Sequence, residues 1–147
     1  MPATQTLAII KPDAVVAGKV GKILAHLEAA GFAVRAARMD RLGLPEAEAF
    51  YEVHRERPFF RSLVSFMTSG PCLPMVLEAD RAVPRLREVI GATDPAEAAE
   101  GTVRRLFAES KERNAIHASD SEANAFREAR FFFTEAELHR LWQTGAR

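Results

Sequence analysis

Thr6-Leu7-Ala8-Ile9-Ile10-Lys11-Pro12 opens as a short apolar run and closes on a proline, which cannot donate to a sheet ladder. The pattern predicts a buried strand over 6–10 with a lysine fixed at its exit. After Gly18 the period changes. Val20, Ile23, Leu24 and Leu27 recur at helical spacing on one apolar face, and Gly31 supplies the stop. Phe32 to Leu42 then alternates, with Phe32 and Val34 opposed to Arg35, and predicts a second strand.

Further along, Pro45 suits the first turn of a short helix carrying Phe50 and Val53, and Pro58 starts another that Ser69-Gly70-Pro71 ends. Cys72 to Glu78 reads as a third strand, and Asp80 as the cap of a helix with Val83, Leu86 and Ile90 on one face. Residues 91–116 lack a period and predict a long loop, a feature that in small domains usually serves function. Ser121 to Arg130 reads as a helix and Phe131-Phe132-Phe133 as a fourth strand. Thr134-x-x-Glu137 is a capping box opening a last helix, with Leu138, Leu141 and Trp142 inward. There are no repeats, low-complexity segments or linkers. The order β-α-β, β-α-β with inserted helices predicts an α+β fold, a ferredoxin-like split βαβ sandwich on a four-stranded antiparallel sheet.

With 147 residues, one domain spanning 1–147 is expected. Twenty basic and 20 acidic side chains cancel, so no global field draws in nucleic acid or an anionic membrane. An anion site must therefore come from a few converging side chains. Cys72 is the only cysteine and sits in an apolar run, which predicts a buried, inert thiol. The first residues have no basic region ahead of their apolar stretch, and no apolar run approaches the roughly 18 residues a membrane helix needs. A cytoplasmic location, with no membrane partner, is expected.

Of the 4 histidines, His139 lies among charges on the last helix, His54 closes a short helix and His26 flanks an apolar face. His117 differs. It follows the long loop with polar groups on both sides, while Ile116 can anchor the segment in the core. Lys11, Arg87 and Arg104 read singly as surface charges, but converging guanidinium groups suit phosphate oxygens. Glu128 read alone would face solvent. Glycine-rich phosphate loops and zinc-type spacings are absent.

Asn114-Ala115-Ile116-His117-Ala118-Ser119-Asp120-Ser121 resembles the active-site signature of nucleoside diphosphate kinases. The resemblance continues in register through Thr6-Leu-Ala-Ile-Ile-Lys11-Pro12-Asp13-Ala14, Tyr51 with Arg57-Pro58-Phe59-Phe60, Ser69-Gly70-Pro71, Gly91-Ala-Thr93-Asp94-Pro95 and Gly101-Thr102-Val103-Arg104. These landmarks run from residue 6 to about 133.

The resemblance implies reversible transfer of a γ-phosphate from a nucleoside triphosphate, mainly ATP, to a nucleoside diphosphate through phosphorylated His117. On its terms Lys11, Tyr51, Arg87, Thr93 and Arg104 surround phosphates and sugar, and Asn114 binds a ribose hydroxyl together with Lys11. Phe59 stacks on the base beside Leu63, and Ser119 and Glu128 orient the imidazole. Mg²⁺ bridges the phosphates with no direct protein ligand, Asp120 reaching it through water. A homo-oligomer, tetramer or hexamer, is implied, and the loop before His117 contacts phosphate. Ala118 stands where the family usually has glycine, a change that matters only if the backbone needs positive φ there. Arg105, Leu106 and Glu100 also depart from the family pattern.

Histidine is nucleophilic near neutral pH, and its phosphorylated form stays reactive enough to pass the group on in a ping-pong scheme. Stacking on Phe59 is tolerant of base identity, so broad specificity is expected. A regulatory nucleotide-binding module would keep the cations but has no use for a supported nucleophile. An RNA-binding domain of this fold is disfavoured, because the strands lack interleaved exposed aromatics and the net charge is zero. No dedicated nucleic-acid binding is expected.

Overall fold

The computed structural model describes the backbone of residues 1–145 and the side chains of residues 1–141. Gln5–Ile10 form β1, buried along its whole length. Pro12 does not simply end it: with Pro at the first helical position, Pro12–Val16 wind into a short helix, α1, which the sequence reading lacked. Val20–Ala29 form α2, with Ile23 and Leu27 fully inward. Gly31 follows the helix at φ 98, a conformation that favours glycine. Ala33–Ala37 form β2, shorter than the expected Phe32 to Leu42; beyond it the Arg38 amide still donates to the Pro74 carbonyl at 3.2 Å, and Asp40 forms an isolated bridge to Cys72.

Leu44–Phe50 form α3 and Phe60–Met67 form α4, joined through a 3-10 turn at Glu52–His54. Leu73–Glu78 form β3 and Ala82–Ile90 form α5. The stretch read as a loop contains α6, Val103–Phe107, capped by the Thr102 hydroxyl, which accepts the Arg105 amide at 3.3 Å. Ile116–Ala118 are β4, Glu122–Phe132 are α7 and Glu135–Gly145 are α8.

The sheet order is β2-β3-β1-β4 with antiparallel neighbours throughout. It follows that β1 and β2 run parallel with β3 between them, and β3 and β4 parallel with β1 between them. This is the split βαβ arrangement. On one face Leu7, Ile9 and Val76 pack against Phe50, Val64 and Ala129. On the other, Ala8, Ile10 and Met75 pack against Ile23, Leu27 and Leu86. Helices on both faces explain why β1 reads as a continuous apolar run and not as an alternating one. Cys72 is fully buried within the first of these clusters, and burial pushes its thiol up to about 12.

Several expectations need correction. The fourth strand is not Phe131–Phe133 but Ile116–Ala118; Phe131 and Phe132 continue α7, whose inner stripe runs Ala125, Glu128, Ala129, Phe132. Short apolar runs fit strand and helix alike, and here the helical stripe wins. Asp80 does not cap α5. Arg81 occupies that position at φ 51, with no side-chain hydrogen bond. Val53 points outward at 67% exposure, because the 3-10 turn shifts it off the apolar face that buries Phe50. The Thr134 and Glu137 capping box forms reciprocally, at 3.1 Å in each direction, and Leu138 is buried. The expected inward Trp142 lies outside the described side chains.

Candidate active site

Residue His117 pairs with Ile9 across β4 and β1. Strand alternation sends Ile116 and Ala118 into the α2/α5 face and His117 to the other, where Phe50 and Tyr51 meet its ring at centroid distances of 5.5 and 6.2 Å. There Glu128, on the inner stripe of α7, comes within 2.7 Å of His117 Nε2 through Oε1. The Ser119 hydroxyl donates to the same oxygen at 2.7 Å. Burial pushes the Glu128 carboxyl up, but the hydrogen bonds from His117 and Ser119 and the charges of His117 and Arg127 outweigh it, holding the group below the usual carboxylate range. An ionised carboxylate only accepts hydrogen bonds. In the neutral ring that contact places the proton on Nε2 and leaves the Nδ1 lone pair free.

Three cations gather around residues 114–118. Arg104 is buried and donates to the Ile116 carbonyl at 2.7 Å and the Gly91 carbonyl at 3.0 Å, while its Nε has no partner. Gly91 makes this possible: at φ 88 a Cβ there would lie 2.6 Å from the Thr102 hydroxyl. Arg87 donates to the Ala118 carbonyl at 3.1 Å, so the two guanidinium groups grip the backbone on either side of His117. Burial, then the charge of Arg87, lowers Arg104 to about 10. Lys11 is also buried, and its ammonium donates to Asn114 Oδ1 at 2.9 Å. Burial and then Arg104 lower Lys11 to about 8, with Asp13 and Glu112 opposing.

Beside Lys11 opens a cleft of about 400 Å³ that includes Phe59, Leu63, Thr93 and Asn114. Asn114 spans its floor, accepting from Lys11 and donating to the Thr93 carbonyl at 3.2 Å. Phe59 is exposed and does not touch His117; the rings of Tyr51 and His54 link the two, His54 lying 5.5 Å from Phe59. The Tyr51 hydroxyl is buried and has no hydrogen-bond partner, and burial raises its pKa. Asp120 is exposed and accepts from Asn124 at 2.6 Å; that bond, with the charge of Arg87, holds its carboxyl below the usual range. Two further lining residues, Lys111 and Glu112, went unread in the sequence because a charged turn looks like solvated surface.

The backbone at Ala118 has no positive φ, so alanine is accommodated there; the left-handed residue is Ala115, with φ 74. The Ala115 amide donates to Asp13 Oδ2 at 3.1 Å, and its carbonyl accepts from the Lys11 amide at 2.9 Å. These bonds hold a left-handed residue at the entry to β4. Ala115 is fully buried, so Ala115→Val adds a β-branched side chain where neither φ nor packing admits one. It should cost about 2 kcal/mol and lower Tm by roughly 5–8 °C in calorimetry; an unchanged Tm would refute the strained entry.

A sandwich of this topology, with a supported histidine among cations and beside an open cleft, has the parts of a phosphotransferase. The nucleoside diphosphate kinase family model matches residues 4–138. The nucleoside diphosphate kinase of Halorhodospira halophila is 54% identical over 138 residues, covering 94% of this chain and 98% of that protein. The enzyme of Chlorobium chlorochromatii is 55% identical over 136 residues, covering 92% and 97%. Among solved structures, the Aquifex aeolicus nucleoside diphosphate kinase superposes with a TM-score of 0.88 at 48% identity, covering 90% of this chain and 96% of that one. The Halobacterium salinarum enzyme, solved in complex with CDP, gives 0.86 at 38% identity, covering 90% and 89%. The chain belongs to the nucleoside diphosphate kinase family. Its reaction is the reversible transfer of a terminal phosphate between nucleotides, and the family requires a divalent cation.

Proposed function

We propose that His117 is the nucleophile and that its Nδ1 takes the γ-phosphoryl group, in a ping-pong cycle through phosphohistidine. The observation that carries this is the Glu128 contact at Nε2, which fixes the tautomer and leaves the other nitrogen to react. Ser119 holds Glu128 in turn. Arg87 and Arg104 offer guanidinium donors to the oxygens of the group in transfer, and Tyr51, Thr93 and Lys11 complete the phosphate surroundings. Lys11 and Asn114, already bonded to each other, take a ribose hydroxyl. The base lies between Phe59, Leu63 and the opposite wall of the cleft. ATP serves as the main donor, and acceptors of any base are used because stacking does not read base identity.

Mg²⁺ is the cation in this reading. It keeps much of its hydration and binds through few carboxylates plus substrate phosphates. One donor present fits that habit: Asp120 offers an exposed carboxylate held below the usual carboxylate range. Bound with the nucleotide, the ion would neutralise phosphate charge.

Incubation with γ-labelled ATP tests the scheme. Acid-labile label should appear on the protein and leave when a second diphosphate is added. A regulatory module would take up none.

The lowered Lys11 ammonium gives a pH signature. Its value of about 8 lies below the ordinary 10.5, so the folded chain releases this proton before the unfolded chain does. Between those values the unfolded chain binds more protons, and stability of the free enzyme gains as pH rises. Nucleotide binding runs the other way, since phosphates favour the charged lysine. Affinity should therefore fall as pH climbs past about 8. The kcat/KM profile for ADP should show a descending limb there, and Lys11→Arg should remove it. A limb that persists in Lys11→Arg assigns it to another group.

We further propose that residues 1–147 form a single domain, that it works in the cytoplasm and that it assembles as a homo-oligomer, a tetramer or hexamer. No helix among the described residues is long and apolar enough to cross a membrane. The exposed apolar side chains of Val16, Met39 and Leu44 suit subunit packing.

A further inference from the structure

The lining of the cleft that holds Phe59 includes a charged turn, and that turn is built. Residues 109–113 form a tight turn in which the Glu109 amide donates to the Arg113 carbonyl at 2.9 Å and the Arg113 amide to the Ser110 hydroxyl at 3.1 Å. The Arg113 guanidinium lies over the Phe66 ring of α4 at 5.3 Å, tying the turn to that helix. Lys111 and Glu112 stand at the tip and line the cleft. Glu112 then crosses the gap: its Oε2 accepts from the Ser62 hydroxyl at 2.6 Å, next to Leu63. Among the described residues Oε1 has no hydrogen-bond partner, and Oε2 keeps a second lone pair.

We propose that Glu112 is a specificity-determining residue that tilts base preference toward guanine within an otherwise tolerant site. The inference rests on the reading that this cleft holds the base. A carboxylate held at the edge of the slot presents two acceptors side by side and no donor. Guanine presents two adjacent donors, N1–H and the 2-amino group, which match a carboxylate in pairwise fashion. Hypoxanthine keeps N1–H and lacks the amino group. Uracil flanks its single N3–H with carbonyl oxygens, which the carboxylate repels. Ser62 gives the carboxylate its orientation, so Ser62 acts through Glu112 as a positioning residue.

GDP and IDP differ only in the 2-amino group, and they stack alike. With saturating ATP as donor, kcat/KM for GDP should exceed that for IDP by about fivefold in the wild type. In Glu112→Gln, whose amide offers a donor in place of one acceptor, kcat/KM for GDP should fall more than that for IDP, bringing the ratio to within about twofold of unity. Ser62→Ala should give an intermediate ratio. A GDP-to-IDP ratio unchanged in Glu112→Gln, or an equal fall with both acceptors, overturns the proposal. A wild type that phosphorylates neither diphosphate sinks the reading of the cleft as a nucleotide site, and this inference with it.

Discussion

His117→Ala should lower turnover by about 10,000-fold or more, the scale seen when the nucleophile of a covalent mechanism is removed. The reason is topological as much as chemical. In a ping-pong cycle donor and acceptor occupy the same cleft in turn, so without an acceptor atom on the protein the phosphoryl group has nowhere to wait. Direct transfer would need two nucleotides at once in a cleft of about 400 Å³. The alanine variant also vacates space between Phe50 and Tyr51, and some stability will go with it. His117→Asn separates the two effects: its amide can still donate toward Glu128 but offers no nitrogen lone pair to phosphorus. Both variants should bind ADP within a few-fold of wild type by calorimetry, since the charged residues remain. Both should also take up no acid-labile label. Label retained by either variant would move the nucleophile elsewhere.

How much of this could be read in the chain depends on how local each signal is. β1 and the place of Lys11 at its exit were legible because an apolar run ended by proline carries its meaning within a few residues, but the burial of Lys11, read singly as a surface charge, was not. The α2 face was legible for the same reason, four residues at one period. β4 was not: it has 3 residues and its alternation is lost between Asn114 and Ser119, so only pairing with β1 reveals it. Glu128 did leave a trace. It sits on the stripe of Ala125, Ala129 and Phe132, and a carboxylate on an apolar stripe invites a buried partner. Reading Phe131–Phe133 as a strand cut that stripe short and hid the trace. Arg104 could be named as a candidate through family resemblance, but its burial depends on Gly91, Thr102 and Ile116 meeting in space, which no window of sequence contains. The left-handed Ala115 is similar, since bonds from Asp13 and Lys11, about a hundred positions away, hold it there.

Arg104→Met should cost about 100-fold to 1,000-fold in kcat, the usual loss when one donor to a developing anion is removed. It should do so without unfolding the protein. Arg104 is 5% exposed in the wild type and its Nε is unpaired; burial, then the charge of Arg87, lowers its pKa to about 10. A buried charge in that condition burdens the empty enzyme, offset only by the bonds to Gly91 and Ile116. Methionine removes the charge, keeps much of the volume and leaves two carbonyls without a donor, so these effects oppose each other and Tm should move little. What must change is the response to ligand. If Arg104 meets phosphate, ADP relieves its repulsion with Arg87 in the wild type, and the rise in Tm on adding ADP should shrink in the variant. Arg104→Lys restores the charge but not the planar fork, and should recover activity only in part. A structural role predicts the reverse pattern: a lower Tm, an unchanged shift with ADP and near-normal activity per folded molecule. The active-site assignment of Arg104 stands or falls on which of these two patterns the paired melting and rate measurements return.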